Sequence, residues 1–288
     1  MQSQKQFKRR FSFEFFPPKT DQGKEKLQNV RNQLAEVNPD FFSVTFGAGG
    51  STRDRTIETV LNLHSQGIST APHLSCVGGT RQEIGELLDL YREHGINRIV
   101  ALRGDMPSGM GAAGELRYAN ELVEFIREHS GDTFNLEVAA YPEFHPQARN
   151  AEEDLKNFAR KVQAGANSAI TQYFFNADSY FYFIDRLEKM GVTIPVVPGI
   201  MPIVNFSNLV RFSDMCGAEI PRWIRKQLEA YGDDRESIRK FGEEVVTEMC
   251  EKLLKAGAPG LHFYTLNQVE PSISIWKNLG ISEREKIA

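Results

Sequence analysis

One carboxylate stands within an aromatic segment near the start of the chain. Glu14 lies in FSFEFFPP, residues 11–18, where alternating phenylalanine and serine predict a β-strand, although glutamate is depleted in strands. A buried carboxylate without partners either destabilises the fold by several kcal/mol or binds a proton. The residue types therefore favour acid–base chemistry at Glu14, and an ion pair with an arginine inside the fold is the structural alternative.

Further polar side chains occur in or just after apolar, strand-like segments. His73 could be a functional group or a hydrogen-bonded core histidine, and Gln172 could bind a ligand or be an interior amide that needs partners. Arg103 and Asp105, in VALRGD, could simply pair with each other or cap a helix. Other polar residues at predicted strand ends are Thr45, Tyr141, Tyr264 and Asn267.

The elements that must position these side chains alternate between short apolar strands and amphipathic helices. Helical periodicity is clear at 24–37 and 152–165, where apolar residues recur every three or four positions. Eight strand–helix units predict an α/β protein, a (β/α)₈ TIM barrel, whose chemistry lies at the carboxyl ends of the strands. An extra helix is predicted over 221–236, in the last βα connection, and a closing helix near 271–280. The predicted strands are 10–16, 40–47, 69–76, 98–104, 135–141, 168–175, 194–200 and 260–267.

Composition limits the classes of partner. The 34 Lys+Arg and 38 Asp+Glu give a net charge of −4, so there is no electrostatic reason to expect nucleic acid or an anionic membrane. Three scattered cysteines fit a reducing cytosol and argue against a disulfide framework and a thiolate zinc site. Without a signal-peptide or transmembrane pattern, we expect a cytoplasmic protein. We also expect one domain over residues 1–288, with about 1–9 and 282–288 flexible.

Several cofactor and catalytic motifs do not occur in the sequence. They are the dinucleotide-binding GxGxxG unit, the phosphate-binding P-loop, the zinc motif HExxH and the hydrolase motif GxSxG. A nicotinamide coenzyme stays possible, because such coenzymes also bind without a Rossmann domain.

Eight ordered motifs, over about residues 10–280, resemble the methylenetetrahydrofolate reductases of the bacterial type. They are FEFFPP, SVTFGAGG, APHLSC, VALRGD, AAYPEFHP, GANxAITQYFF, PGIMP and HFYTLN. The resemblance implies that NAD(P)H reduces FAD and leaves, and that 5,10-methylenetetrahydrofolate then takes its place and becomes 5-methyltetrahydrofolate. It also implies a role in methionine biosynthesis and one-carbon metabolism, and a homotetramer. The implied FAD contacts are Thr45, Ala48, His73, Arg103, Gly104, Asp105, Tyr118, Ala119, Tyr141, His145, Asp154, Asn157, Arg160, Lys161 and Ile170.

The resemblance also assigns roles in catalysis and substrate binding. Glu14 becomes the acid that opens the folate ring to an iminium cation. The carboxyl group must then hold a proton near neutral pH, and its aromatic, partly dry setting predicts a raised pKa. Asp105 would stabilise the cation and tune the flavin potential. Gln172 would hydrogen-bond the folate and, in its turn, the nicotinamide, while Phe212 would stack on the bound ring; no metal is implied.

One helical stripe supports this assignment and two positions depart from it. Asp154, Asn157 and Lys161 lie three and four residues apart, so one ligand could touch all three. The family commonly has arginine just after HFYTLN, where this chain has Gln268, and relatives have glutamine where this chain has Asn208. Binding of the folate tail is therefore less well supported than binding of FAD.

Two other functional classes stay open at this point. A cofactor-free barrel lyase or a pterin-binding methyltransferase could use Glu14 and Asp105 as an acid–base pair. A non-enzymatic folate carrier would need neither residue for chemistry. The flavoprotein hypothesis differs from both because it predicts a yellow protein that NADH bleaches under anaerobic conditions.

Overall fold

The strands form a parallel β-barrel. The computed structural model describes residues 1–47, 52–77, 79–104 and 114–281. Its strands are β1 (Arg10–Phe15), β2 (Phe41–Val44), β3 (Thr70–Ser75), β4 (Arg98–Leu102), β5 (Asn135–Ala140), β6 (Ser168–Thr171), β7 (Val196–Val197), β8 (Gly199–Ile200) and β9 (Gly260–Tyr264). Neighbours in the sheet follow the order β7-β6-β5-β4-β3-β2-β1-β9-β8. The predicted TIM barrel is confirmed.

The seventh barrel strand is interrupted at a proline. β7 pairs with β6 and β8 pairs with β9, and Pro198 alone separates the two segments, so together they form one kinked strand. The carbonyl oxygen of Pro198 accepts a hydrogen bond from His262 N at 2.9 Å. Gly199 must be glycine, because an added Cβ would lie 2.1 Å from the carbonyl oxygen of Thr171.

Helices surround the barrel. They are α1 (Gln2–Lys5), α2 (Asp21–Ala35), α3 (Arg53–Ser65), α4 (Arg81–Glu93), α5 (Ala119–Ser130), α6 (Ala151–Gln163), α7 (Ala177–Lys189), α8 (Phe206–Cys216), α9 (Arg222–Tyr231), α10 (Arg235–Ala256) and α11 (Ser272–Asn278). Side-chain caps at Thr80 and Asn150 fix the starts of α4 and α6. Within the described part of the chain, none of these helices has the length and apolarity needed to cross a bilayer.

The connection between β8 and β9 contains more helix than predicted. The prediction of a single helix over 221–236 is wrong in extent, because α9 ends at Tyr231, just before Gly232, and a new helix, α10, begins at Arg235. Gly232 has φ 55°, and Asp234 caps α10 by accepting from the backbone N–H groups of Glu236 and Ser237. α8, α9 and α10 therefore all lie in the connection that leads into the last strand.

The N-terminal segment is packed rather than frayed. Gln4 is buried, its amide nitrogen donates to the carbonyl oxygen of Ile194 at 3.1 Å, and its Oε1 accepts from Val196 N at 2.9 Å. The N-terminal ammonium lies 3.0 Å from Glu188 Oε1. The expectation of flexible residues 1–9 is therefore wrong for this start of the chain, and the segment 282–288 lies outside the described residues.

The residues of β1 alternate between two environments. Phe11 and Phe13 pack outward on Trp276 of α11, with ring centroids 5.2 and 5.5 Å apart, and all three are buried. Ser12 and Glu14 face the barrel interior instead, because successive side chains of a strand point to opposite faces. The aromatic neighbours of Glu14 in sequence are thus not its neighbours in space.

Candidate active site

Glu14 lies in a buried polar cluster inside the barrel. Its Oε2 is 3.2 Å from His73 Nε2 on β3 and 3.5 Å from His262 Nε2 on β9. The Glu14 side chain is 11% exposed, and His262 is fully buried. Ser12 Oγ holds the other ring nitrogen of His262, Nδ1, at 2.7 Å. The neighbouring strand β9 and the strand β3, which lies beyond β2, therefore place two imidazoles against one carboxylate.

The buried arginine of the barrel has a different partner. Arg98 pairs with Glu137, which also accepts a hydrogen bond from Ser168 Oγ at 2.5 Å. Arg98 is the first residue of β4, so this pair lies toward the amino ends of the strands. The ion-pair alternative for Glu14 is thus wrong in its partner, because the side chains that face the Glu14 carboxylate among the described residues are the imidazoles of His73 and His262 and not an arginine.

The pKa of Glu14 departs from its ordinary value in the direction opposite to the prediction. Burial raises the pKa, but the close approach of His73 and the hydrogen bond with His262 outweigh burial and lower the pKa to about 2. The predicted raised pKa is wrong because the phenylalanines of β1 point away from the carboxyl group. Glu14 is therefore held as a carboxylate between two imidazoles.

His73 Nε2 is close to this carboxylate without being aligned with it. The 3.2 Å distance allows ion pairing, yet the buried nitrogen has no well-oriented hydrogen-bond partner among the described residues. Buried polar atoms without such a partner are uncommon. A ligand bound beside His73 could supply the hydrogen bond that its Nε2 lacks.

The segment after β9 is tied to the end of β1. Thr265 Oγ1 donates to the carbonyl oxygen of Glu14 at 2.6 Å. Asn267 bonds both backbone groups of Phe16, accepting from its N–H at 2.8 Å and donating to its carbonyl oxygen at 3.0 Å. Leu266 and Asn267 have φ values of 53° and 54°, a region unfavourable for leucine. Strained turns of this kind cluster at functional sites.

The carboxyl end of β6 forms the opposite side of the site. Tyr264 donates its hydroxyl to the carbonyl oxygen of Thr171 at 2.6 Å, and burial raises its pKa well above the ordinary value, so it stays a neutral donor. Gln172 is half-buried and its Oε1 accepts from Tyr173 N at 3.0 Å. Its side-chain amide is thus held near the strand end.

Helix α8 is attached to this end of β6. Tyr173 OH and Ser213 Oγ are hydrogen-bonded at 3.1 Å, and Phe212 is the residue before Ser213. Phe212 is half-buried against the main core. The attachment of α8 brings the two predicted substrate contacts, Gln172 and Phe212, to neighbouring elements.

A second wall comes from α6 and the segment that follows β5. Asp154 Oδ2 accepts from His145 N at 3.0 Å, and the rings of His145 and Tyr141 lie edge to face with centroids 4.6 Å apart. Lys161 Nζ donates to the carbonyl oxygen of Ala139. Burial raises the pKa of Asp154 and lowers that of Lys161 to about 8. The structure thus brings together four of the predicted flavin contacts.

The residues after β2 and β4 also reach this end of the barrel. The carbonyl oxygen of Arg103 accepts from Ser75 Oγ at 2.9 Å, and Thr45 N donates to the carbonyl oxygen of Phe15 at 2.9 Å. Gly104 has φ 85°, and an added Cβ would lie 1.9 Å from Ser75 Oγ. The turn after β4 therefore requires glycine for both its conformation and its close packing.

The other predicted flavin contacts are placed differently. Ile170 lies in the small apolar cluster inside the barrel, and Tyr118 is 57% exposed just before α5, which begins at Ala119. Arg160 is exposed and donates to Asn157 Oδ1 at 2.6 Å on its own helix. Two predicted contacts lie outside the described residues: Ala48 and Asp105.

His262, Ser12 and Thr265 are site residues that the strand-end pattern does not reveal. The register of β1 and β9 pairs Ser12 with His262 and Glu14 with Tyr264, so all four side chains share the interior face. The alternation of side chains along the strand HFYTLN could have predicted that His262 and Tyr264 point into the barrel. No group of three His, Cys, Asp or Glu side chains that could hold a metal ion occurs in the described ranges.

Comparison with known proteins identifies the family. The family profile for methylenetetrahydrofolate reductase matches residues 1–280. The chain is 41% identical to the 5,10-methylenetetrahydrofolate reductase of Escherichia coli (strain K12) over 271 residues, 94% of this chain and 90% of the relative. It is 38% identical to methylenetetrahydrofolate reductase (NADH) 1 of Zea mays over 292 residues, 96% of this chain and 49% of the relative.

A solved structure shares the fold. It is an uncharacterized protein from Clostridium thermocellum that binds two copies of 5-methyl-5,6,7,8-tetrahydrofolic acid. The two chains are 17% identical with a TM-score of 0.67, and the match covers 98% of this chain and 96% of the other. The family profile and the bacterial relatives confirm the resemblance carried by the eight motifs, and they show that the chain belongs to the methylenetetrahydrofolate reductase family.

Proposed function

We propose that the chain reduces 5,10-methylenetetrahydrofolate to 5-methyltetrahydrofolate with NAD(P)H. The reaction would run as two half-reactions, in which NAD(P)H and the folate bind in turn beside the same FAD. Family membership supports the folate reaction. The observation that carries the chemistry is the buried cluster of Glu14, His73 and His262. The reaction takes one hydride and one proton for each folate reduced, and this cluster can supply the proton.

Glu14 and its two histidines would manage the proton of the folate half-reaction. The one-carbon unit of the substrate bridges two nitrogens, and protonation of one of them breaks its bond to that carbon. The other nitrogen then shares an iminium cation with the carbon, which accepts the hydride. Glu14 would pass the proton from an imidazole to the substrate nitrogen, and the remaining carboxylate would favour the cation nearby.

The residues at the barrel face fit a flavin dinucleotide. Buried His73 Nε2 lacks a well-oriented partner among the residues described, and Lys161 supplies a cation beside Asp154. A cation suits a pyrophosphate, and the Tyr141–His145 ring pair offers an apolar surface. When bound, FAD would accept a hydride from NAD(P)H and supply it to the folate.

The full set of proposed FAD contacts remains that of the family motifs. Those in the enclosing walls are Thr45, His73, Arg103, Gly104, Tyr141, His145, Asp154, Asn157 and Lys161. Those on the exposed rim, in the core or outside the described residues are Ala48, Asp105, Tyr118, Ala119, Arg160 and Ile170. Asp105 is also proposed to stabilise the cation.

Gln172 and Phe212 would bind folate and nicotinamide in turn. Gln172 has a side-chain amide at the end of β6, and Phe212 offers an aromatic ring on the attached helix α8. Because one ring would replace the other, we propose a ping-pong order. The maize relative is named as an NADH enzyme, so NADH is the first coenzyme to test.

We further propose a single-domain, cytoplasmic homotetramer that serves one-carbon metabolism and methionine biosynthesis. Family membership supports this cellular role. The scattered free cysteines suit a reducing compartment.

The test begins with the colour of the purified protein. It should carry flavin, and anaerobic NADH or NADPH should bleach it. 5,10-Methylenetetrahydrofolate added next should restore the colour. A colourless chain that rearranges or transfers the folate carbon would favour a lyase or methyltransferase, and a colourless chain that merely binds folate would favour a carrier.

A further inference from the structure

A small cleft lies between α2 and α3, two of the helices that surround the barrel. Its lining residues recur every three or four positions along each helix, so each helix contributes one stripe to the cleft. Its floor consists of buried Leu27, Thr59 and Leu63, and it has a volume of about 110 Å³. The lining residues are Pro18, Lys24, Leu27, Gln28, Arg31, Glu58, Thr59, Asn62 and Leu63.

A buried cation without a carboxylate partner lines this cleft. Arg31 is 7% exposed, and over the described ranges its guanidinium has no carboxylate within 4.0 Å. One terminal nitrogen donates to Gln66 Oε1 at the end of α3, while the buried Nε has no hydrogen-bond partner in the same ranges. By contrast Arg98, which is 8% exposed, pairs with Glu137. Because buried charges in proteins are usually paired, Arg31 indicates a place for an anion.

The acid at the rim of the cleft already has a cation of its own. Lys24 Nζ lies 2.6 Å from Glu58 Oε1, and both side chains are exposed. The described lining therefore contains two cations, Lys24 and Arg31, and one acid, Glu58, which leaves a net charge of +1. A ligand with one negative charge would balance this charge, and a cationic ligand would be repelled.

The size and the floor of the cleft limit the ligand further. A cavity of about 150 Å³ holds benzene, so a cleft of about 110 Å³ suits a ligand of on the order of four to six heavy atoms. Inorganic phosphate has that size, but it has no apolar part to cover Leu27 and Leu63. A carboxylate accepts hydrogen bonds from a guanidinium, and a short alkyl group would cover the two leucines.

We propose that this cleft binds the anion of a small carboxylic acid of about two to four carbon atoms, with the carboxylate on Arg31 and the alkyl group on Leu27 and Leu63. The site goes beyond the proposed reductase reaction, because it lies between two outer helices and uses none of the active-site residues. A ligand that binds the folded chain alone also stabilises it, so occupancy should raise the melting temperature.

Butyrate is the probe, and ligand-observed NMR measures its dissociation constant, which we expect in the millimolar range. Acetate should bind about tenfold more weakly, because each buried methylene group contributes about fourfold in affinity. Arg31→Met keeps an unbranched side chain and removes the charge. This variant should weaken butyrate binding at least about tenfold, through the loss of a charge-assisted contact.

Matched variants separate the charge of Arg31 from its packing. Arg31→Lys keeps the charge and should weaken binding less than Arg31→Met does. Lys26→Met removes an exposed cation of the same helix that does not line the cleft, so it should leave binding unchanged. Gln28→Phe places a ring over the cleft from its exposed rim and should prevent binding with Arg31 in place. Melting curves without ligand establish that each variant is folded.

The outcomes decide the proposal without reference to the reductase reaction. Butyrate binding that is lost in Arg31→Met and Gln28→Phe, and kept in Lys26→Met, supports the site. If Arg31→Met does not fold, the Gln28→Phe and Lys26→Met pair decides alone. No butyrate binding to the wild type up to about 50 mM overturns the site, as does binding that survives the loss of the charge or the blocked cleft. Equal binding of butylammonium, or tighter binding of inorganic phosphate than of butyrate, also overturns it.

Discussion

Replacing Glu14 by glutamine should separate the two halves of the reaction. The amide keeps the size of the side chain but can neither donate the proton nor place a negative charge beside the imidazoles. Hydride transfer from NADH to flavin requires no protonation of a substrate nitrogen, so flavin bleaching should persist within about an order of magnitude. Reoxidation by 5,10-methylenetetrahydrofolate should slow by at least about 10²–10⁴-fold, the usual contribution of a general acid.

The lowered pKa of Glu14 also predicts a stability cost for this change. The pKa of Glu14 falls from 4.5 to about 2, so the folded state favours the carboxylate over its protonated form by roughly 3 kcal/mol after the cost of burial. A depressed pKa stabilises the fold above the ordinary value, and that stability is lost as the pH falls from about 4.5 through about 2. Glu14→Gln should therefore unfold more easily than wild type near pH 5, by up to roughly 3 kcal/mol, with the difference shrinking toward pH 2.

Anaerobic stopped-flow absorbance at the flavin band measures both half-reactions in the same variant, so flavin content and bleaching serve as internal controls for folding. If bleaching and reoxidation slow together, Glu14 supports flavin binding rather than proton transfer. If neither slows, Glu14 is not the acid. Denaturant unfolding at pH 5 and pH 3 checks the stability difference separately.

Three further changes test individual contacts. His262→Asn should slow the reoxidation of flavin by folate at least about tenfold and shift the pH profile of that step, since His262 acts through Glu14. Bleaching by NADH should be nearly unchanged. An unchanged pH profile of reoxidation would contradict a role of His262 in proton transfer. Lys161→Ala should weaken FAD binding by about 10- to 100-fold, from a charge-assisted contact of roughly 1.5–3 kcal/mol, seen as flavin lost on gel filtration. Wild-type FAD affinity should likewise fall as the pH rises through about 8, where the ammonium loses its proton. Gly104→Ala should lower the melting temperature more than Gly67→Ala. Both glycines have positive φ, but only the change at Gly104 would place a Cβ against Ser75 Oγ. Equal decreases in melting temperature would contradict the packing argument.

The sequence predicts the barrel well because each strand carries its own local signal. Strand alternation and helical periodicity are properties of neighbouring residues, and they locate every strand position, including the seventh. What they miss is the kink at Pro198, where the proline leaves the ladder and divides that strand into β7 and β8. They also miss the short helix α1, whose stability comes from the contacts of Gln4 with the distant Ile194 and Val196.

The chemistry of the site is harder to predict from local sequence patterns than the barrel is. The residue type alone singles out Glu14 in the sequence. The direction in which its pKa shifts, however, depends on which side chains of β1 and β9 face each other inside the barrel. His73 and His262 lie 59 and 248 positions away along the chain, and their contact with Glu14 follows from strand register.

The most direct test of the account is a single anaerobic turnover. Wild-type protein is reduced with one equivalent of NADH, freed of nicotinamide, and mixed with 5,10-methylenetetrahydrofolate labelled at the one-carbon unit. The account predicts that flavin colour returns and that one labelled 5-methyltetrahydrofolate forms for each flavin reoxidised. Return of colour without the labelled methyl product, or product formed by protein that holds no flavin, would contradict it.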